Sequence, residues 1–368
     1  MYLKKLSLTD FKSYEFTEVD LCSGINCFIG KNATGKTNIL DAIYYLSFCK
    51  SYFNPQDSQN VQHGKDFFAI HADFDNDTET GQQVSCIFKK GQKKIFKYNQ
   101  KEYKKLSEHI GLIPLVLISP YDRDLINEGS DVRRKFIDGV ISQFNKTYLN
   151  LLLDYNKALM QRNSLLKSFA ESHYFDLEAL QIWDQSLSDI GGKIHKYRKE
   201  FVTEFLDLFQ HYYSHIAGSH EKVSIEYKSD LHETDLHEVL KLNVERDKAL
   251  KYTSRGIHKD DLTFKISGYP IKKFGSQGQQ KSFVIAIKLA QLEFIKREKG
   301  FYPILLLDDI FDKLDEERVE KIIHLIGDNE FGQVFITDTS IDRIKKVLES
   351  THLEHQLMKV ETGIVSKI

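Results

Sequence analysis

Along the first 120 residues the apolar positions come in short runs, the pattern of strands rather than of long helices. Leu3, Leu6, Leu8 and Phe11 mark a first strand. Residues 25–30, INCFIG, form an apolar run that ends in glycine; a loop follows, then an apolar-faced helix, KTNILDAIYYLSF. Strand-like runs recur at 67–74, 83–89 and 93–99, the last two joined through KKGQK as a hairpin. Residues 112–119, LIPLVLIS, read as a buried strand stopped by Pro120.

From about residue 130 the period changes. Apolar residues recur at helical spacing over 132–170 and again over 177–216, and proline is absent from 121 to 269. This predicts two or more long helices joined near 171–176, with the pair Gly191-Gly192 as a kink or break in the second. Forty helical residues span roughly 60 Å at most, an arm or lobe rather than a long coiled coil. After about 220 strands and helices mix again: VSIEY, LTFKI, an amphipathic helix KSFVIAIKLAQLEFIKREK, a buried strand ILLLDD, another at GQVFITD and a late one at HQLMKVETG.

The pattern predicts an α/β fold with a second, mainly helical lobe. Residues 1–120 and 300–368 form the α/β head and 121–299 the lobe, with the border inside 220–300 left open. The 368 residues fit two or three structural units, and 41% hydrophobic with 28% charged residues is ordinary globular composition. No run of 18 or more apolar residues is present, and the N-terminal stretch lacks the apolar core of a secretory signal, so a cytoplasmic protein without a membrane span is expected. Cys22, Cys27, Cys49 and Cys86 form no CxxC pair and read as reduced, buried thiols.

Candidate chemistry sharpens this. Residues 30–37, GKNATGKT, fit the phosphate-binding pattern G-x-x-x-x-G-K-[ST], and they follow a strand and open a helix, which is the context that gives the pattern meaning. Gly30, Lys31, Asn32, Ala33, Thr34 and Gly35 would wrap phosphate oxygens with backbone N–H groups, and Lys36, Thr37 and Asn38 stand at the helix N-terminus. Lys36 would reach the β- and γ-phosphates of ATP, and Thr37 would ligate Mg²⁺. Asp308, at the carboxyl end of an apolar strand, is the second Mg²⁺-side group, and Asp309 the candidate to polarise an attacking water. The alternative, two acids that merely cap a strand end, is the lesser reading given the phosphate loop upstream.

Residues 275–280, GSQGQQ, pose a question of their own. Ser276, Gln277, Gly278 and Gln279 precede an apolar helix, so they read either as an N-cap after a glycine turn or as a second anion site. Such a site, supplied by another copy of the chain, would complete a triphosphate pocket and let ATP hold two copies together.

The order of these stretches resembles that of the ABC-type ATPases: phosphate loop, signature, apolar-Asp-Asp strand, then FDKLDEER with Asp315 at the D-loop position. Three positions depart from that pattern. Thr337 and Asp338 stand where a histidine is usual, Asp309 where a glutamate is usual, and no glutamine marks the Q-loop near 115–125. These departures imply slow hydrolysis.

A closer resemblance, over nearly the whole chain, is to the RecF family of bacterial recombination mediators. It rests on MYLKKLSLTDFKSY, on GKNATGKTNILDAIYYLSFCKSY, on LISPYDRDL with RRKFID and the YNKALMQRN helix, on GIHKDDLTF and on GSQGQQKS. In GIHKDDLTF, Ile257 and Lys259 replace the family's usual proline and arginine. The resemblance implies an ATP-dependent clamp on DNA, single-stranded or gapped duplex, that dimerises with ATP and works with RecO and RecR to load the RecA recombinase. Competing expectations are the ATP subunit of a transporter, which would need a Q-loop and a histidine switch, and an SMC or Rad50 type of ATPase, which would need hundreds of heptad residues.

The net charge of −2 rules out a polycation, so DNA contacts must come from local patches. Residues 89–105 hold eight lysines against one glutamate, interleaved with Phe96, Tyr98 and Tyr103. Lys89, Lys90, Lys93, Lys94 and Lys97 are therefore candidate phosphate contacts, beside the plainer reading as a solvated hairpin face. Lys50 is a similar candidate, and so are Arg133 and Arg134, cations at a helix start where the dipole disfavours them. His258 and Lys259 are alternatively interfacial, with Asp260 and Asp261 as salt-bridge partners. Binding to backbone rather than to sequence is expected.

Overall fold

The structure, a computed structural model, describes residues 1–75, 81–218, 221–310, 318–319, 321–322, 325, 331–349 and 352–368. The chain divides into two compact units. The first holds Met1–Asp122, His215–Ala217 and Ile285–Ile368; the second holds Arg123–Ser214 and Gly218–Val284. Residues 285–299 thus belong with the first unit, inside the 220–300 range where the sequence pattern left the border open.

The first unit is built on two sheets. One is antiparallel, in the order β2-β1-β4-β5-β6-β7, from β1 (Tyr2–Phe11), β2 (Tyr14–Asp20), β4 (Phe67–Asp75), β5 (Gln82–Lys89), β6 (Ile95–Tyr98) and β7 (Lys101–Glu102). The other runs β15-β14-β3-β13-β12-β8, from β3 (Ile25–Ile29), β8 (Leu115–Ile118), β12 (Ile304–Asp308), β13 (Val334–Asp338), β14 (His355–Glu361) and β15 (Ile364–Lys367). All its pairings are parallel except β14 with β15. Every residue of β3, β8, β12 and β13 is buried, which is why these strands read as unbroken apolar runs. Helix α1 (Lys36–Phe48) leaves β3 and sinks Ile39, Leu40, Ile43 and Leu46 into the same core as Leu6, Phe28, Phe68 and Leu306. Cys49 ends it in the left-handed region, at φ 55°.

The second unit is mainly helical. The helical period over 132–170 resolves into α3 (Ser130–Phe144) and α4 (Lys146–Ser172), after the short α2 (Asp124–Asn127). Asn145 makes the break, because its side chain accepts the Tyr148 N–H and caps α4. Helix α5 (Leu177–Ala217) runs 41 residues without interruption, so the glycine pair does not break it. Gly191 serves close packing instead: a Cβ there would meet Leu236 Cδ2 at 2.5 Å and Tyr155 Cε2 at 3.2 Å. The unit also carries β9 (Val223–Lys228), β10 (Asp261–Ile266) and β11 (Tyr269–Pro270) in one antiparallel sheet, with α6 (Leu236–Leu242), α7 (Val244–Leu250) and α8 (Ile271–Phe274). Helix α9 (Gln277–Lys299) starts in this unit and ends in the first.

Candidate nucleotide site and signature helix

The order of the parallel sheet decides the site. β13 lies between β3 and β12, so the carboxyl ends of three neighbouring strands bring together residues that are far apart in the chain. From the first turn of α1, just past the loop after β3, comes Thr37, whose Oγ1 donates to Asp308 at the end of β12, 2.9 Å from Oδ1 and 3.2 Å from Oδ2. From the end of β13 comes Thr337, whose hydroxyl donates to the same Oδ1 at 2.8 Å and accepts the Asp309 N–H at 3.0 Å. Burial pushes the Asp308 carboxyl above the usual range, and the two threonine hydroxyls pull it back toward ionisation.

The loop itself has the shape phosphates need. Lys36 is buried and folds over the loop, its Nζ donating to the carbonyls of Gly30 at 2.8 Å and Lys31 at 3.0 Å. Gly30 has no room for a side chain, since a Cβ would stand 2.3 Å from the Val360 carbonyl oxygen. Gly35 has φ 110° and is packed against Ser13 and Tyr14, so only glycine fits there. Two distant turns brace the loop. The Tyr14 hydroxyl donates to the Gly35 carbonyl at 3.0 Å, the Asn38 amide donates to Ser13 at 2.8 Å, and the Gly363 N–H donates to the Thr34 carbonyl at 3.3 Å. None of these braces is visible in the loop's own sequence.

Thr37, Asn38, Asp308 and Asp309 line a cleft of about 1060 Å³ together with Lys12, Phe53 and Lys90. The residues fit a nucleotide and its divalent cation. Hydroxyl and carboxylate oxygens already converge, as Mg²⁺ requires, and the glycine loop leaves its N–H face without side chains. Asp309 sits at the cleft with φ 48°, a left-handed backbone that turns it away from the strand. Lys12, which the sequence did not mark, pairs with Asp41 at 2.5 Å. In the stretch searched for a Q-loop glutamine, Asp122 is buried and accepts from Lys288 at 2.7 Å and from the Tyr52 hydroxyl at 2.9 Å.

The signature forms the start of α9. Ser276 is exposed, and it and Gln279 cap each other: the Gln279 N–H donates to Ser276 Oγ at 3.2 Å, and the Ser276 N–H donates to Gln279 Oε1 at 2.7 Å. Gln277 and Gly278 occupy the first turn. The D-loop candidate, Asp315, lies outside the described residues.

The basic candidates separate into two groups. Lys89, Lys90 and Lys93 are exposed at the β5–β6 turn, Lys50 is exposed just past α1, and Lys97 is half-buried. Lys94, by contrast, is occupied inside the unit, with Asp57 at 2.9 Å, the Cys49 carbonyl at 2.7 Å and the Tyr45 hydroxyl at 3.0 Å. Arg133 clasps Asp261 through Nε at 2.7 Å and Nη2 at 3.1 Å, and also donates to the Leu125 and Glu128 carbonyls. Arg134 donates to the Asp260 carbonyl at 2.8 Å. Those three side chains make hydrogen bonds within the protein, as does Lys90, whose Nζ donates to the Lys65 carbonyl at 2.6 Å.

The same holds for GIHKDDL. Asp260 pairs with the buried Arg198 at 2.8 Å and Asp261 with Arg133, so neither serves His258 or Lys259. His258 instead bonds the Tyr155 hydroxyl at 3.0 Å and the Thr253 carbonyl at 2.9 Å, and burial pulls its pKa down to about 4. From the YNKALMQRN helix, Arg162 is fully buried between Asp184 at 2.5 Å and Asp247 at 2.6 Å, and the Asn163 side chain accepts from Thr253. Arg162, Arg198 and Asp260 are the buried centres of the polar network to which RRKFID, YNKALMQRN and GIHKDD contribute.

Comparison with known proteins agrees along the whole chain. The family model of the RecF/RecN/SMC N-terminal domain matches residues 2–362. The DNA replication and repair protein RecF of Flavobacterium johnsoniae is 53% identical over 360 residues, 98% of this chain and 100% of that protein. Its counterpart in Phocaeicola vulgatus is 48% identical over 368 residues, 100% of this chain and 98% of that protein. A solved structure of the recombination mediator protein RecF-ATP in the RecFOR pathway superposes with a TM-score of 0.90 at 30% identity, covering 100% of this chain and 97% of that one. The Smc head domain of Pyrococcus furiosus shares the fold, with a TM-score of 0.58 at 17% identity. The chain belongs to the RecF family, with the ATPase head fold of the RecF/RecN/SMC group.

Proposed function

We propose that this chain is a cytoplasmic, ATP-dependent DNA-binding protein of recombinational repair and replication restart, which dimerises on gapped or single-stranded DNA when it holds ATP and Mg²⁺. The observation that carries the reading is the convergence of Thr37, Asn38, Asp308 and Asp309 on one cleft, next to the phosphate loop that Lys36 folds over. The family supports it: a solved relative is RecF-ATP, a recombination mediator of the RecFOR pathway. RecO and RecR are the partners the reading implies, and RecA is the recombinase loaded with their help. Among the described residues no helix is long and apolar enough to cross a membrane.

The cofactor supplies the phosphoanhydride bond and, with Mg²⁺, the charge that polarises it; the chain supplies the positions. Lys36 exchanges two carbonyl acceptors for phosphate oxygens, a change from neutral to charge-assisted hydrogen bonds. Thr37 and Asp308 would hold Mg²⁺ through their oxygens, with Thr337 keeping the Asp308 carboxylate in place. Asp309 accepts a proton from water at the cleft. Its carboxylate is one methylene shorter than the glutamate usual at this place, which fits slow turnover. Ser276, Gln277, Gly278 and Gln279 of a second copy close the γ-phosphate side. Lys50, Lys89, Lys90, Lys93 and Lys97 take DNA phosphates.

The test is turnover of ATP with and without a gapped duplex. The reading expects weak ATPase activity that DNA raises, and loss of that activity in Asp309→Asn with nucleotide binding retained. Equal activity in Asp309→Asn would remove Asp309 from the reaction, and absence of nucleotide binding by the parent chain would end the reading.

A further inference from the structure

The cap between Ser276 and Gln279 does not stand alone. The far end of the Gln279 amide, Nε2, donates to Glu221 Oε1 at 2.6 Å. The other carboxylate oxygen of Glu221 accepts the hydroxyl of Tyr213, a fully buried residue near the end of α5. A chain of bonds therefore runs Tyr213, Glu221, Gln279, Ser276, and both oxygens of Glu221 are used in it.

This chain fixes three things. It decides which way the Gln279 amide faces, because Oε1 is held by the Ser276 N–H and Nε2 by a carboxylate. It gives Gln279 a charge-assisted anchor, which a glutamine closing the cap alone would lack. It also sets the serine. A lone pair of Ser276 Oγ is taken by the Gln279 N–H, so the hydroxyl proton is the part left to donate outward. The acidic charge of Glu221 lies near a site meant for phosphate, yet its oxygens are turned to Gln279 and Tyr213.

We propose that Glu221 is a positioning residue for the signature: through Gln279 it holds Ser276 with its hydroxyl proton aimed at the γ-phosphate of ATP bound by a second copy. Glu221 touches no nucleotide itself. This inference rests on the reading of the signature as acting between copies.

The experiment compares Glu221→Ala, Glu221→Gln and Ser276→Arg, each in the Asp309→Asn background that preserves ATP. Three quantities are read: affinity for a fluorescent ATP analogue at protein dilutions that keep the chain monomeric, the ATP concentration that gives half-dimerisation by light scattering, and the melting temperature. Glu221→Ala is expected to raise the half-dimerisation concentration about tenfold, the loss of one charge-assisted hydrogen bond, with monomer affinity changed less than about twofold. Glu221→Gln keeps an oxygen for Gln279 Nε2 but not the charge, and is expected to raise the half-dimerisation concentration by no more than about threefold. Unchanged dimerisation of Glu221→Ala, with Ser276→Arg monomeric, would overturn the role of Glu221 and leave the signature reading standing. Dimerisation of Ser276→Arg would remove the signature reading and this inference with it. Equal failure of the Ala and Gln variants, with a lowered melting temperature, would make Glu221 a structural residue and overturn the proposal.

Discussion

Thr37 Oγ1 stands 2.9 Å from Asp308 Oδ1, although the two are 271 positions apart in the chain. The contact exists because β3 and β12 flank β13 in a parallel sheet, whose strand ends open on one cleft. Thr337, at the end of that middle strand, completes the pair.

Thr337→Val removes one of the two hydroxyls that keep the buried Asp308 ionised. The carboxyl moves further above its usual range, and a protonated carboxyl holds Mg²⁺ poorly. The Mg²⁺ concentration for half-maximal ATPase is expected to rise about tenfold. Because the titrating group is an acid with a raised pKa, the loss deepens as pH falls, and in the variant it begins at higher pH. Mg²⁺ titrations at several pH values read this directly; identical titrations for parent and variant would contradict it.

Gly30→Ala puts a methyl group 2.3 Å from the Val360 carbonyl oxygen. Backbone must move on one side or the other, at a cost of about 2–3 kcal/mol. Thermal unfolding is expected at a clearly lower temperature, with nucleotide binding lost at temperatures where the variant is still folded. Gly192→Ala is the control: a Cβ there meets nothing within 4 Å, and it sits inside α5, so it should be neutral or slightly stabilising.

Lysines in one short stretch have opposite expected effects. Lys89→Glu and Lys93→Glu, exposed at the β5–β6 turn, should weaken DNA binding and lower the salt slope by about one phosphate contact each, with stability unchanged. Lys94→Ala should leave the salt slope alone and reduce stability, because it strips Asp57 of its ion pair and leaves the Cys49 carbonyl without its lysine donor. Salt-dependent binding isotherms and melting curves for the three variants decide the matter.

His258 supplies a pH dependence. Its folded pKa is about 4, depressed by burial, so the unfolded chain takes up the proton first as pH falls. The stability that neutral His258 contributes is present above about pH 6.5 and is lost between there and about pH 4, to the extent of about 3 kcal/mol. Denaturant titrations across that range should show a shallower acid loss for His258→Gln than for the parent. Parallel curves would contradict the assignment.

Elements whose burial is all-or-none were legible from the sequence. INCFI, ILLLD and VFITD are buried on both faces, and their apolar runs announced them; GKNATGKT announced its own turn. What stayed hidden depended on contacts between distant residues. Gly191 looked like a helix breaker, and only Leu236 and Tyr155 show that it is a packing notch. Asn145 looked like an interior helical residue until its cap on Tyr148 divided α3 from α4. The partners of Lys94, Arg133 and Arg134 inside the protein stayed hidden because charge is visible in a sequence and its partners are not. Asp57 lies 37 residues from Lys94, and Asp261 lies 128 from Arg133, so no local pattern links them.

The central claim is that ATP joins two copies through the signature. The direct measurement is the molar mass of Asp309→Asn by light scattering, with Mg²⁺ and a gapped duplex, in the presence and absence of ATP. The account predicts a mass of two chains plus DNA only with ATP, and its disappearance when Ser276→Arg is added. A single-chain mass under every condition would contradict it, and Ser276 would then be no more than the cap of α9.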